Sequence, residues 1–180
     1  MGKLLYSFII GVIGAGLVHI ATLFLIPHVS ENDAWSRLVT LEEPETFAII
    51  EPGSPIAASM RVLDPRFITA ACRFSLRDGP VLLSGEGNPP FWSISIYNRN
   101  GENIFSLNDR IATDGTLNIA VVTPLQIIEL QNEMPSELAK SILAEADIDE
   151  GFVVLRAFVP DQSYEAGVRR FITRAGCEAF

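Results

Sequence analysis

The chain has 180 residues and a formal charge of −9, with 22 acidic against 13 basic side chains, a length that fits one globular domain plus an appendage. The acidic balance argues against a phosphate-backbone partner, because the nearest basic patch, Arg169, Arg170 and Arg174, is short. Histidine occurs only at positions 19 and 28, so the bulk of the chain has no Ser-His-Asp or Cys-His chemistry and no imidazole metal ligand.

Leu4 to Ile26 is an apolar run without a charged side chain. At about 1.5 Å per residue it reaches roughly 34 Å, enough to cross a bilayer core of about 30 Å. It ends in Ile26-Pro27-His28-Val29, with no Ala-x-Ala exit for a signal peptidase, so residues 1–26 are predicted to remain as a transmembrane anchor in contact with lipid through residues 4–26. Lys3 lies on one flank and Glu31 and Asp33 on the other, which predicts a cytoplasmic N-terminus and a periplasmic domain at a bacterial inner membrane. On a helical wheel Ser7, Gly11, Gly14, Ala15, Val18 and Thr22 share an arc of about 100°. Small residues let helices approach closely in lipid, so this face suits packing against another membrane helix, although glycine is also simply common in membrane spans. His19 lies toward the outer end of the span, within reach of water or a headgroup.

Residues 27–45 are polar and read as a juxtamembrane stalk, with Trp35 either at headgroup level or capping the domain. The globular domain is expected over 46–180. Phe47 to Ile50 is a short strand closed by Glu51-Pro52-Gly53-Ser54-Pro55. Further strands are expected at Phe67 to Leu76, Val81 to Ser84 and Trp92 to Tyr97, the last in strict alternation. Asn100-Gly101 turns the chain into Asn103 to Leu107, and Asp114-Gly115 turns it into Leu117 to Val122. Thr123-Pro124-Leu125-Gln126 supplies an N-cap, a proline at the first helical position and a capping-box glutamine, so a helix follows, limited by Pro135. Leu138, Ile142 and Ala146 mark the face of a second helix, Phe152 to Val159 returns to strand, and a last helix runs from about Ser163 to Ala175. Tyr164, Val168, Phe171, Ile172 and Ala175 form its apolar face, with Gly176 as its stop. The fold class is therefore mainly β (α+β): a β-sandwich or jelly-roll-like domain with two or three added helices, preceded by one transmembrane helix.

Gly85-x-Gly87 leads into Pro89-Pro90 and cannot open a phosphate-binding helix. Asp64, Asp78, Glu86, Asp109 and Asp114 fall at turns, where a carboxylate serves its own backbone. Asp147-x-Asp149-Glu150 lacks the spacing of a calcium loop, and no metal or cofactor is expected. Cys72 and Cys177 are the only cysteines; they suit a disulfide in an exported domain, while Cys72, among Ala70, Ala71 and Phe74, also suits an inert buried thiol.

The stretches Asp64-Pro65-Arg66-Phe67, Ala71-Cys72-Arg73-Phe74, Asp78-Gly79-Pro80-Val81, Phe91-Trp92-Ser93-Ile94-Ser95-Ile96-Tyr97 and Asn103-Ile104-Phe105-Ser106-Leu107-Asn108-Asp109-Arg110 resemble the bacterial domain of unknown function 1254 (DUF1254) family. The motif Asp33-Ala34-Trp35-Ser36-Arg37-Leu38 is similar to that of its short, membrane-anchored branch. The resemblance implies a β-sandwich with helical additions, and a companion polypeptide supplying the DUF1214-type module that longer members carry on the same chain. It brings no catalytic residues. The expected role is thus an assembly or partner-binding subunit. The alternative is an envelope enzyme or small-molecule binder with a pocket at Trp92, Tyr97, Asn108, Asp109 and Arg110, residues that equally suit core aromatics and a turn.

Overall fold

The computed structural model describes residues 2–39, 45–54, 56–57 and 64–180, the side chains of 26–34, 36 and 37 excepted. The first element, α1 (Gly2–Val39), is one helix. It runs through Pro27, which has no N–H for the helical ladder, and so replaces most of the expected stalk with helix; residues 40–44 of that stalk lie outside the described residues.

Among the described residues nine strands follow, in two sheets. The first sheet has the order β1 (Ala48–Ile49), β2 (Phe67–Ser75), β8 (Glu150–Phe158), β4 (Trp92–Asn98), β5 (Asn103–Asn108), antiparallel throughout. The second has the order β7 (Ile142–Glu145), β6 (Leu117–Val122), β3 (Val81–Gly85), β9 (Gly176–Ala179), with only β6 and β7 parallel. The helices α2 (Pro124–Asn132) and α3 (Gln162–Thr173) pack against them, giving a mixed α+β fold in which strands dominate.

Alternation sets the packing. Along β4 the side chains of Trp92, Ile94 and Ile96 are buried while Ser93, Ser95 and Tyr97 turn outward, as a period of two requires. The inner faces meet in one core that includes Ala70, Cys72, Phe74, Leu155, Leu83, Ile119 and Val121 and is closed at one end by Val168, Phe171 and Ile172 of α3. Tyr164, expected on that apolar face of the last helix, is instead 47% exposed. β6 is buried on both faces because α2 covers its outer side: Ala120 and Val122 pack with Leu130 and Leu138. The capping box forms as expected, Thr123 Oγ1 accepting from Gln126 N–H and Gln126 Oε1 from Thr123 N–H.

The helix expected over Leu138, Ile142 and Ala146 is absent. Ile142–Glu145 is β7, in register with Ile119 to Val122, and Ala146 N–H extends the ladder to Val122 O at 2.8 Å. A spacing of four is a multiple of two as well as one helical turn, so Ile142, Ala144 and Ala146 serve a strand equally well. α3 ends at Thr173 with Arg174 as its C-cap, so Gly176, expected as the stop, instead opens β9, whose Cys177 pairs with Leu83.

Candidate functional site

The residues expected to form a pocket do not converge. Trp92 is 1% exposed in the core and donates from Nε1 to Gly115 O at 3.0 Å, whereas Tyr97 lies on the opposite face of the same strand. Asn108 Oδ1 accepts from Arg110 N–H at 3.1 Å, closing a turn at the end of β5. Asp109 N–H donates to Trp92 O, its Oδ1 is buried without a hydrogen-bond partner, and Arg110 is exposed. These residues are a core tryptophan, an outer-face tyrosine and a connecting turn.

The disulfide is formed. Cys72 on β2 and Cys177 on β9 are bonded across the two sheets with Cα atoms 6.6 Å apart, and both are buried. Asp149 and Glu150 are held by Arg77 and Arg99, and among the described residues no group of three or more His, Cys, Asp or Glu is placed to hold a metal ion.

What the structure does assemble is a joint between α1 and the outer face of the first sheet. Trp35 and Leu38, three residues apart and so on one face of the helix, pack into a cluster with Ile50, Ala71, Phe152 and Tyr97. Leu38 is 3% exposed. Tyr97 stacks on Phe152 at 5.0 Å with an interplanar angle of 12°, and the Trp35 ring lies 6.5 Å from Phe152. The Arg99 guanidinium sits 5.2 Å over the Trp35 ring while its Nη1 reaches Glu150 Oε2 at 3.1 Å, tying helix, hairpin and β8 together. Of the two settings expected for Trp35, the cap on the domain is the one observed.

Ahead of this joint, Gly2–Leu25 is apolar, long enough to cross a membrane, and not buried against the domain anywhere along its length. Ser7, Gly11, Gly14 and Ala15 are exposed on it, and a Cβ at Gly11 or Gly14 would meet nothing within 4 Å. Thr22 satisfies its own hydroxyl by donating to Val18 O and His19 O. From Leu25 to Trp35 is ten helical residues, about 15 Å of rise. Sequence reasoning offered Trp35 as a cap on the domain but missed Leu38 and the helix that carries both; the signal was the pair at helical spacing.

No family model matches the chain, and no curated protein matches it in sequence. Among solved structures it is similar to the VPA0106 protein from Vibrio parahaemolyticus, with 9% identity and a TM-score of 0.61 over 84% of this chain and 35% of that one. It is also similar to an uncharacterized protein from Burkholderia cenocepacia, with 14% identity and a TM-score of 0.49 over 89% of this chain and 42% of that one. The chain thus spans well under half the length of both proteins, and the likeness to the first shows a shared fold.

Proposed function

We propose that this chain is a single-pass inner-membrane subunit that presents its sandwich to the periplasm and binds a companion protein there, in keeping with its resemblance to the membrane-anchored branch of the DUF1254 family. The observation that carries the reading is the joint: an apolar helix with no buried residue in its span continues without a break into Trp35 and Leu38, which are fixed to the first sheet. An apolar surface of that size is stable in lipid rather than water. A helix continuous across residue 26 also supports retention of the segment over its removal as a signal peptide. The charge flanks favour a cytoplasmic N-terminus.

The companion is a protein carrying the DUF1214-type module. Support comes from the resemblance to the DUF1254 family, whose longer members carry such a module beside the sandwich. The face of Ser7, Gly11, Gly14 and Ala15 offers a helix-packing surface within the bilayer. The alternative pocket at Trp92, Tyr97 and Asn108 to Arg110 has lost its geometric basis.

Purification of the full chain from its native envelope in mild detergent tests both parts. Light scattering is expected to give a mass above that of the monomer, with the apolar segment from Gly2 to Ile26 still present by mass spectrometry and a second chain that carries the module. Gly11→Leu and Gly14→Leu are expected to weaken the assembly. A monomer indifferent to both substitutions overturns the partnership, and a soluble chain beginning after residue 26 overturns the tether.

A further inference from the structure

We propose that the groove between α3 and the connection from β3 to β4 binds a small soluble anion, a molecule with a carboxylate or phosphate head, through Arg170 and Arg174. The groove encloses about 390 Å³, within the range of small-molecule sites, and Asn88, Tyr164, Gly167 and Phe171 line it beside the two arginines.

In this acidic chain Arg66, Arg77, Arg99 and Arg169 all sit within 4.0 Å of a carboxylate; Arg169, next to Arg170 on the helix, is held by Glu51 at 3.0 Å. Arg170 and Arg174 share with Arg110 and Arg156 the lack of a carboxylate partner among the described residues, and of these four they are the two that line one groove together. Arg170 lies in the last turn of α3 and Arg174 is its C-cap, and both line the groove, where a guanidinium fork matches the paired oxygens of a carboxylate or phosphate.

Gly167 points the same way. Glycine is disfavoured inside a helix, yet a Cβ here would meet nothing within 4 Å, so packing does not require it. Its bare backbone leaves the groove open. Gly87 is different: its φ is +137° and a Cβ would press on the Phe171 ring at 3.3 Å, which fixes the opposite wall. Glu86 also lines the groove and is not paired with either guanidinium, so its carboxylate opposes an anion that the two arginines must hold against it.

A lipid headgroup carries the same chemistry, but the groove lies at the wrong end of the sandwich. It flanks Pro89 and Pro90, which lead into Trp92 at the start of β4, whereas Trp35 of α1 packs near Tyr97 and Arg99 at its far end. Six residues of strand separate the two, about 20 Å.

The test uses the full chain in phosphatidylcholine nanodiscs, with the Gly87 amide resonance followed during titration with inorganic phosphate and with succinate. A saturating shift is expected with at least one probe. Arg170→Gln with Arg174→Gln is expected to weaken it about tenfold, Gly167→Leu to block it, and Arg169→Gln to leave it unchanged, each variant keeping the dispersed amide spectrum of the folded chain. Absence of saturation by both probes, or a shift indifferent to the arginine pair, overturns the proposal. So does a Gly87 response that appears only when phosphatidylglycerol is added to the discs, since the groove would then serve the membrane.

Discussion

The rings of Trp35 and Phe152 lie 6.5 Å apart, inclined by 49°, and through this contact the last turns of α1 are seated on β8. Leu38 completes the seat three residues later, buried against Ile50 and Ala71. The domain is therefore carried at a set angle to the apolar helix. Spin labels at Phe24 and Ser106, both exposed, report that angle by dipolar spectroscopy. A narrow distance distribution is expected in the native chain and a broad one after Trp35→Ala with Leu38→Ala. Removing Leu38 alone is expected to cost about 2 to 3 kcal/mol, the range for a buried leucine truncated at a site that partly collapses. An unchanged, narrow distribution in the double variant would show that another contact holds the helix.

Cys72 and Cys177 close a loop with a sequence separation of 105 and join β2 of the first sheet to the edge strand β9 of the second. In the chain-entropy model such a loop contributes roughly 4.7 kcal/mol by restricting the unfolded ensemble. Both sulfurs belong to side chains 1% exposed, so a reductant reaches them only as the sheets part. Urea unfolding of Cys72→Ala with Cys177→Ala is expected to show a midpoint lowered by an equivalent of about 2 to 5 kcal/mol. The native chain, in contrast, is expected to resist dithiothreitol until urea approaches its own midpoint. Equal midpoints for the two proteins would mean that the bond contributes nothing to stability.

Most of the sandwich was legible because its signals are local. The alternation of Trp92 to Tyr97, the Asn100-Gly101 turn and the Thr123–Gln126 box each fix a conformation within a few residues, and each appears as expected. The inter-sheet disulfide was one of two settings the sequence left open for Cys72, and it is the one observed. What escaped is set by distance along the chain. β7 becomes a strand by pairing with β6, some twenty residues earlier, a partner that the spacing of Leu138, Ile142 and Ala146 does not reveal. β9 needs β3 in the same way. The pocket at Trp92 and Tyr97 failed for a simpler reason: positions five apart on a strand fall on opposite faces, so these two aromatics cannot share a cavity.

Asp161 caps α3. Its carboxylate accepts from Ser163 Oγ and from Ser163 N–H, and these two bonds, the side-chain one first, hold its pKa below the ordinary value of 3.8. A depressed carboxylate pKa stabilises the fold above the unfolded value, and the gain is lost as pH falls through the folded one. Asparagine caps equally well but does not titrate in this range. The melting temperature of the native chain minus that of Asp161→Asn should therefore be larger at pH 6 than near pH 2.5. Subtraction removes the common effect of the other carboxylates. A difference that stays flat across that interval would show that the cap is indifferent to its charge.

Gly151 and Gly167 both sit inside regular elements, and the same substitution should move stability in opposite directions at the two. On β8 a Cβ at Gly151 would stand 2.5 Å from the backbone oxygen of Tyr97 and 2.8 Å from Phe74, neither of which can retreat without shifting β4 or the core. Gly151→Ala is expected to destabilise by about 2 kcal/mol or more through overpacking. On α3 the methyl of Gly167→Ala would enter open space, and relief of glycine's backbone entropy is expected to add about 0.5 to 1 kcal/mol. For a chain of this size the second change corresponds to a rise in melting temperature of roughly 1 to 4 °C. Differential scanning calorimetry of the two variants beside the native chain decides the matter. A fall on Gly167→Ala would mean that this glycine is held by packing rather than left bare to keep the groove open.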